Sequence, residues 1–272
     1  ITSLASGGKR GFAQSVFQVG GNLGGSFGPL LVALLVAPYG RENIAYFAFV
    51  AIATILVMIP VCRWYKAFLR RAKWHPAESG MHHPMPLSNG WTIFAIVLLM
   101  ILIFSKYIYM TSLTSYYTFY LIHKFGVSVQ MSQVFLFVFL FATAAGTLIG
   151  GPVGDRIGRK YVIWISILGT APFSLLMPYA SLGWTVVLSF CVGFMLSSAF
   201  PSILLYAQEL LPNKLGLISG LFFGFAFGVA GIASAVLGNM ADHFGIDAVY
   251  HVCAYMPLLG LVTWFLPNLK KR

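Results

Sequence analysis

Gly151-Pro152-Val153-Gly154-Asp155-Arg156-Ile157-Gly158-Arg159-Lys160 decides how this chain is read. An apolar run, Val134 to Ile149, leads up to it, and another, Tyr161 to Tyr179, leads away. Roughly twenty apolar residues cross a bilayer as a helix. The stretch therefore reads as a tight turn between two membrane helices. Its cations, Arg156, Arg159 and Lys160, and its one anion, Asp155, are too costly for hydrocarbon and belong at the membrane surface. Gly151, Gly154 and Gly158 let backbones approach closely and let the chain reverse.

Outward from this turn the whole chain has the same character. Apolar residues make up 59% of it and charged ones 8%, which excludes a soluble domain and leaves a polytopic, all-α membrane protein. A net charge of +11 raises the question of nucleic acid. The cations cluster between apolar runs, so membrane topology and anionic lipid account for them better, and no nucleic-acid partner is expected. Cys62, Cys191 and Cys253 stand alone in apolar runs, which gives neither a disulfide nor a metal pattern. His75, His82 and His83 cluster, but without acidic or Cys partners at ligand spacing. No metal or other cofactor is expected. No G-x-x-x-x-G-K-[ST] loop is present, and no nucleophile–base pair has a catalytic context, so the sequence does not read as an ATP-driven pump or an enzyme.

Eight spans are expected, roughly at 11–37, 43–63, 91–118, 128–152, 160–180, 183–208, 215–240 and 246–267. Lys9, Arg10, Arg63, Lys66, Arg70, Arg71, Lys73, Arg156, Arg159, Lys160, Lys214, Lys270, Lys271 and Arg272 all fall on one side of these spans. Arg41 and Lys124 fall on the other. The positive-inside rule then places both termini in the cytoplasm. Residues 64–90 form the one long linker, opening with a basic amphipathic segment suited to the inner leaflet. Pro76, Gly80, Pro84 and Pro86 break any helix after it.

The spacing G-x-x-x-D-R-x-G-R-K resembles the signature loop of the major facilitator superfamily of secondary transporters, which joins the second and third helices of each six-helix half. The resemblance implies a salt-bridge network at this loop that holds the cytoplasmic side shut. Glu209 lies at the same depth, with Arg156 or Arg159 as its expected partner. The first span carries Gly20, Gly24 and Gly28 with Pro29, a small-residue stripe that admits a close neighbour and a proline that kinks the helix. Its Gly-x-x-x-Gly-Pro pattern resembles the fifth helix of drug/proton antiporters of the superfamily. The seventh span repeats the theme with Gly216, Gly220, Gly224 and Gly228. A shift of 205 positions lays Lys9-Arg10-Gly11 on Lys214-Leu215-Gly216 and Tyr39-Gly40 on Phe244-Gly245. The repeat unit is then six spans, as in transporters built from parallel repeats. The expected fold is the last eight of twelve transmembrane helices. Residues 1–63 end the N-terminal half, 64–90 link, and 91–272 form the C-terminal half. The missing N-terminal helices of the same protein are an expected partner.

Lys106 is the one charge in mid-span, and a charge there is a functional candidate by default. Tyr109, Leu113, Tyr117 and Tyr120 follow on its helical face. Ser198 and Ser202 fall together on the sixth span and either line a cavity or bond backbone. Lys106, Tyr109, Tyr117, Tyr120, Ser198 and Ser202 are the candidate substrate contacts. One cation, several tyrosines and no mid-span carboxylate favour an amphipathic anion over a cationic drug. Overall the chain is most similar to bacterial inner-membrane efflux members of the superfamily, which implies export of a phosphonate antibiotic against inward proton flow. Another small organic anion, or a broader range of drugs, is the alternative cargo. A coupling carboxylate is expected in the missing spans. A membrane-embedded enzyme or a helical receptor would need neither the repeat nor the signature loop.

Overall fold

A computed structural model describes residues 10–40, 42, 45, 47–74, 89–211 and 214–267. Among them there is no strand, and eight helices are long and apolar enough to cross a membrane. They are α1 (Gly11–Val36), α2 (Ala48–Ala67), α3 (Gly90–Phe125), α4 (Val129–Ile157), α5 (Arg159–Tyr179), α6 (Leu182–Leu210), α7 (Leu215–Phe244) and α8 (Ile246–Phe265). Helices dominate because hydrocarbon offers no partner for backbone polar groups, so each span must satisfy its own. The turns fall where glycine or a short polar residue permits them. Gly126 (φ 66°) and Gly245 (φ 83°) end α3 and α7, and Ser128 Oγ accepts the Met131 N–H at the start of α4.

The helices exceed their sequence-read bounds at several ends. α3 was expected over 91–118 and continues to Phe125, well beyond what a bilayer core requires. The signature stretch is also different from a ten-residue turn. α4 stays helical through Gly151, Asp155 and Ile157, and only Gly158 (φ 102°) leaves the helix before α5 begins at Arg159. The Gly158 N–H still bonds the Gly154 carbonyl at 3.1 Å. Reversal thus falls to Gly158 alone, while Gly151 and Gly154 serve close approach. α1 likewise remains continuous through Pro29 and loosens into a π-helical turn over Val32–Val36. Beyond α2 the helix runs unbroken to Trp74, so the basic segment after Trp64 continues the span rather than starting a separate element. The histidines of the linker, residues 75–88 as a whole, Lys9, Arg41 and residues 268–272 lie outside the described residues.

α4 is the hub. It packs along α1 on one side and α6 on another, while α3 packs against α7 and α8 and α5 against α6 and α8. A Cβ added at Gly146 would sit 1.9 Å from the Phe194 carbonyl oxygen of α6. One at Gly150 would meet Ser198 Cα at 2.6 Å, and one at Gly151 would meet the Gly11 carbonyl oxygen at 2.2 Å. These are backbone contacts that only glycine allows, the membrane substitute for hydrophobic association.

The two glycine stripes singled out in the sequence are not used in this way among the described residues. A Cβ at Gly20, Gly24, Gly28, Gly216, Gly220, Gly224 or Gly228 would meet nothing within 4 Å among the described residues. The face α1 turns to α4 is instead Gly11, Ser15, Asn22 and Ser26. Serine is nearly as small as glycine, and Asn22 adds a hydrogen bond from its Nδ2 to Thr147 Oγ1 at 2.8 Å. Counting glycines alone therefore picked the wrong face of α1 for this contact.

Candidate functional site

The signature end is an electrostatic lock between α1, α4, α5 and α6. Arg159, at the start of α5, reaches Glu209 at the end of α6 at 2.9 Å and Asp155 at 3.8 Å. Its side chain is 13% exposed, so solvent screens the pair only in part. Asp155 has a second role. Its Oδ1 accepts the Gly11 N–H at 3.1 Å and its Oδ2 accepts the Phe12 N–H at 3.2 Å. These are the first amides of α1, which have no partner within their own helix. The carboxylate also meets the positive end of the α1 dipole. One side chain thus ties two helices that lie more than 140 positions apart in sequence. Gly11 is obligatory there, since a Cβ would fall 2.5 Å from Asp155 Oδ1.

The other signature residues separate by role. Arg156 is exposed on the last turn of α4. Lys160 leaves the lock and donates to the carbonyls of Trp264, at 3.2 Å, and Leu266. It therefore caps the end of α8, where a cation suits the helix dipole. Tyr206 donates to the Pro267 carbonyl beside it.

Lys106 lies near the middle of α3, 4% exposed, and no carboxylate of the described residues pairs with it. Its ammonium stands 5.3 Å from the Tyr107 ring and 5.1 Å from the Phe200 ring of α6. Those rings meet edge to face at 5.6 Å, and Phe223 of α7 meets Phe200 in the same manner at 5.3 Å. Three helices thus build an aromatic wall beside one desolvated cation, a setting in which a cation–π contact is worth about 2 kcal/mol.

The structure does not bring the predicted tyrosines to this ammonium. Tyr117 shares a hydrogen bond with Ser189 of α6 at 2.9 Å. Tyr120 stacks on Tyr250 at 3.9 Å and accepts from Lys124. Tyr109 is 1% exposed within the same core. Tyr117 and Tyr120 thus hold α3 to its neighbours. Ser198 and Ser202 also point elsewhere. Ser198 Oγ donates to the Met195 carbonyl and meets Ser166 Oγ, and its Cα faces Gly150. Ser202 Oγ faces Gly154. Phe200, two positions from each, lies on the opposite side of the helix. Sequence reasoning missed Tyr107 and Phe200 because i+1 neighbours and residues of other helices carry no periodic signal.

The sequence of the chain matches a transporter family. The Major Facilitator Superfamily model matches residues 1–141 and 99–272, and the chain belongs to that superfamily. Its members are transporters rather than enzymes. The chain is 58% identical to the fosmidomycin resistance protein of Escherichia coli (strain K12) over 98% of its own length and 65% of that protein's. It is 34% identical to the uncharacterized MFS-type transporter YfnC of Bacillus subtilis (strain 168), over 100% of the chain and 66% of that protein. A gallate transporter of Pseudomonas putida is 32% identical over 46% of the chain and 29% of its own length. The chain thus spans less than two thirds of the length of each of these relatives.

Proposed function

We propose that the full-length protein exports fosmidomycin, a phosphonate antibiotic, across the bacterial inner membrane by alternating access in exchange for protons. The observation that carries this reading is the 58% identity to a fosmidomycin resistance protein along almost the entire chain. Lys106 supports it: a buried ammonium with aromatic neighbours and no carboxylate partner among the described residues suits a small anion. The likeness to a gallate transporter favours a second reading, transport of another small organic anion. Expression in a fosmidomycin-sensitive strain lacking its own exporter tests the choice. Raised resistance with lowered drug accumulation supports the first reading. Unchanged resistance with accumulation of an aromatic acid supports the second.

In this reading residues 1–63 end one six-helix half, 64–90 link, and 91–272 form the other. Four further spans complete the first half and carry the coupling carboxylate. Both termini and the linker face the cytoplasm. Cysteines placed at Ser79 and Ser88 are then labelled by a membrane-impermeant maleimide only after the inner membrane is opened; labelling of intact spheroplasts reverses the topology.

The lock at the signature end holds the cytoplasmic side shut. Asp155→Asn weakens the cap on α1, and Arg159→Ala removes the cation that both Asp155 and Glu209 face. Each variant is expected to insert normally and to lose transport by about tenfold, the effect of roughly 1.4 kcal/mol on the balance between states. Full resistance from both variants assigns the loop to topology alone.

A further inference from the structure

We propose that the second half of α8 is a length switch that couples the Lys106 helix to the signature lock. The first half of α8, Ile246–Cys253, is an α-helix, but Met256–Phe265 is a 3₁₀ helix of 10 residues. Such runs rarely exceed about three or four residues, because their hydrogen bonds are poorer, and inside a longer helix they often mark a hinge. Pro257 opens this one. It offers the Ala254 carbonyl no N–H at i+3, and the Leu258 N–H goes to the Tyr255 carbonyl. The Ala254 carbonyl instead accepts from Ser174 Oγ of α5 at 2.8 Å.

Side chains of other helices hold both ends of the stretch. Ser105 of α3, the residue before Lys106, donates to the Met256 carbonyl at 2.5 Å. At the far end Lys160 donates to the Trp264 and Leu266 carbonyls, and Tyr206 to that of Pro267. Lys160 follows Arg159, and Tyr206 lies one helical turn before Glu209, so this end adjoins the lock.

A 3₁₀ helix rises about 2.0 Å per residue and an α-helix about 1.5 Å, while their ψ angles differ by only about 10–20°. The stretch therefore shortens by about 5 Å on turning α-helical. No hydrogen bond stretches that far. The short form keeps Ser105 on Met256, or Lys160 and Tyr206 on the far carbonyls, but not both. Thr263 favours the short form. Its Oγ1 is buried with no partner among the described residues. In the α-helices α2 and α4, Thr54 and Thr147 donate to the carbonyl at i−4. Thr263 gains the same bond, to Leu259, once the stretch is α-helical. The inference rests on the lock being the gate and not on which cargo is carried.

The test is electron paramagnetic resonance of the full-length protein, spin-labelled through Y255C and F265C after its other accessible cysteines are replaced. Both side chains are exposed, so the labels displace no described packing. Between them the chain spans about 20 Å in the 3₁₀ form and about 15 Å in the α form. The parent is expected to show the longer distance. Arg159→Ala, which releases the lock, and Ser105→Ala, which frees Met256, are each expected to raise the ratio of short to long by up to about tenfold, the loss of one buried bond. Ser105→Thr keeps the hydroxyl and is expected to match the parent. Thr263→Val added to Arg159→Ala is expected to return most of the signal to the longer distance. A short distance in the parent, or an unchanged distance in either Arg159→Ala or Ser105→Ala, overturns the proposal. Equal changes in Ser105→Ala and Ser105→Thr assign the effect to packing and overturn it, as does a short population indifferent to Thr263→Val. The measurement needs no cargo, so its failure is separate from a failure of fosmidomycin export.

Discussion

Lys106→Met is expected to weaken binding of fosmidomycin by at least about tenfold, the loss of one charge-assisted contact in a desolvated site. Methionine keeps the length and the apolar stem and removes only the charge. The aromatic wall of Tyr107 and Phe200 stays in place, so the helices lose little packing. The wild-type cation is held at a cost, because a charge in mid-membrane is unfavourable by about 3 kcal/mol or more. Removing it should therefore leave the protein as stable or more so, and the loss of transport is not a loss of fold. Lys106→Arg is expected to recover part of the binding, since the charge returns with a planar, forked geometry that matches the phosphonate differently. Phe200→Leu should fall between the two. Drug binding by the purified full-length variants, measured alongside thermal stability, checks this. Unchanged binding in Lys106→Met would make Lys106 a structural or coupling residue and move the substrate contact elsewhere.

The second large effect is steric. Gly151→Ala is expected to cut transport by about tenfold or more and to destabilise the protein by about 1–3 kcal/mol, as overpacking does. The added Cβ would lie 2.1 Å from Ser15 Oγ and 2.2 Å from the Gly11 carbonyl oxygen. Ser15 can turn aside, but the carbonyl belongs to the first turn of α1 and cannot. α1 must retreat from α4 at the signature end, and the Asp155 bonds to Gly11 and Phe12 stretch with it. Farther along the seam Asn22 still holds Thr147, and Phe27 still meets Phe137 at 6.3 Å. The expected result is thus an opening confined to the signature end. A cysteine pair across Asn22 and Thr147 should cross-link as well as in the parent. Gly183→Ala, at a position with nothing within 4 Å, is the neutral control.

These two sites show what the sequence could and could not convey. The spans were legible because hydrocarbon demands unbroken apolar helices, and α1 to α8 fall within a few residues of expectation apart from the overlong α3 and α4. Lys106 was legible for the same reason, as a charge where charge is costly. Its wall was not, because Phe200 reaches it from another helix and Tyr107 sits outside the periodic face. Depth set Glu209 beside Arg156 or Arg159 without choosing between them, and the cap on α1 could not be read at all. Its donors are the backbone amides of Gly11 and Phe12, and an amide leaves no mark on the sequence. The glycine stripes are ambiguous for a related reason. Smallness permits approach without naming the partner, and Gly146, Gly150 and Gly151 are distinguished from Gly20 and Gly24 only by what stands opposite them.

The most direct test of the account is drug movement by the full-length protein in proteoliposomes under an imposed proton gradient. With the cytoplasmic face of the protein outward and the interior made acidic, labelled fosmidomycin is expected to accumulate inside and to leave when the gradient is collapsed by a protonophore. The same vesicles carrying Lys106→Met should accumulate little. Accumulation that ignores the gradient, or no accumulation of fosmidomycin by vesicles that move another anion, would contradict the account.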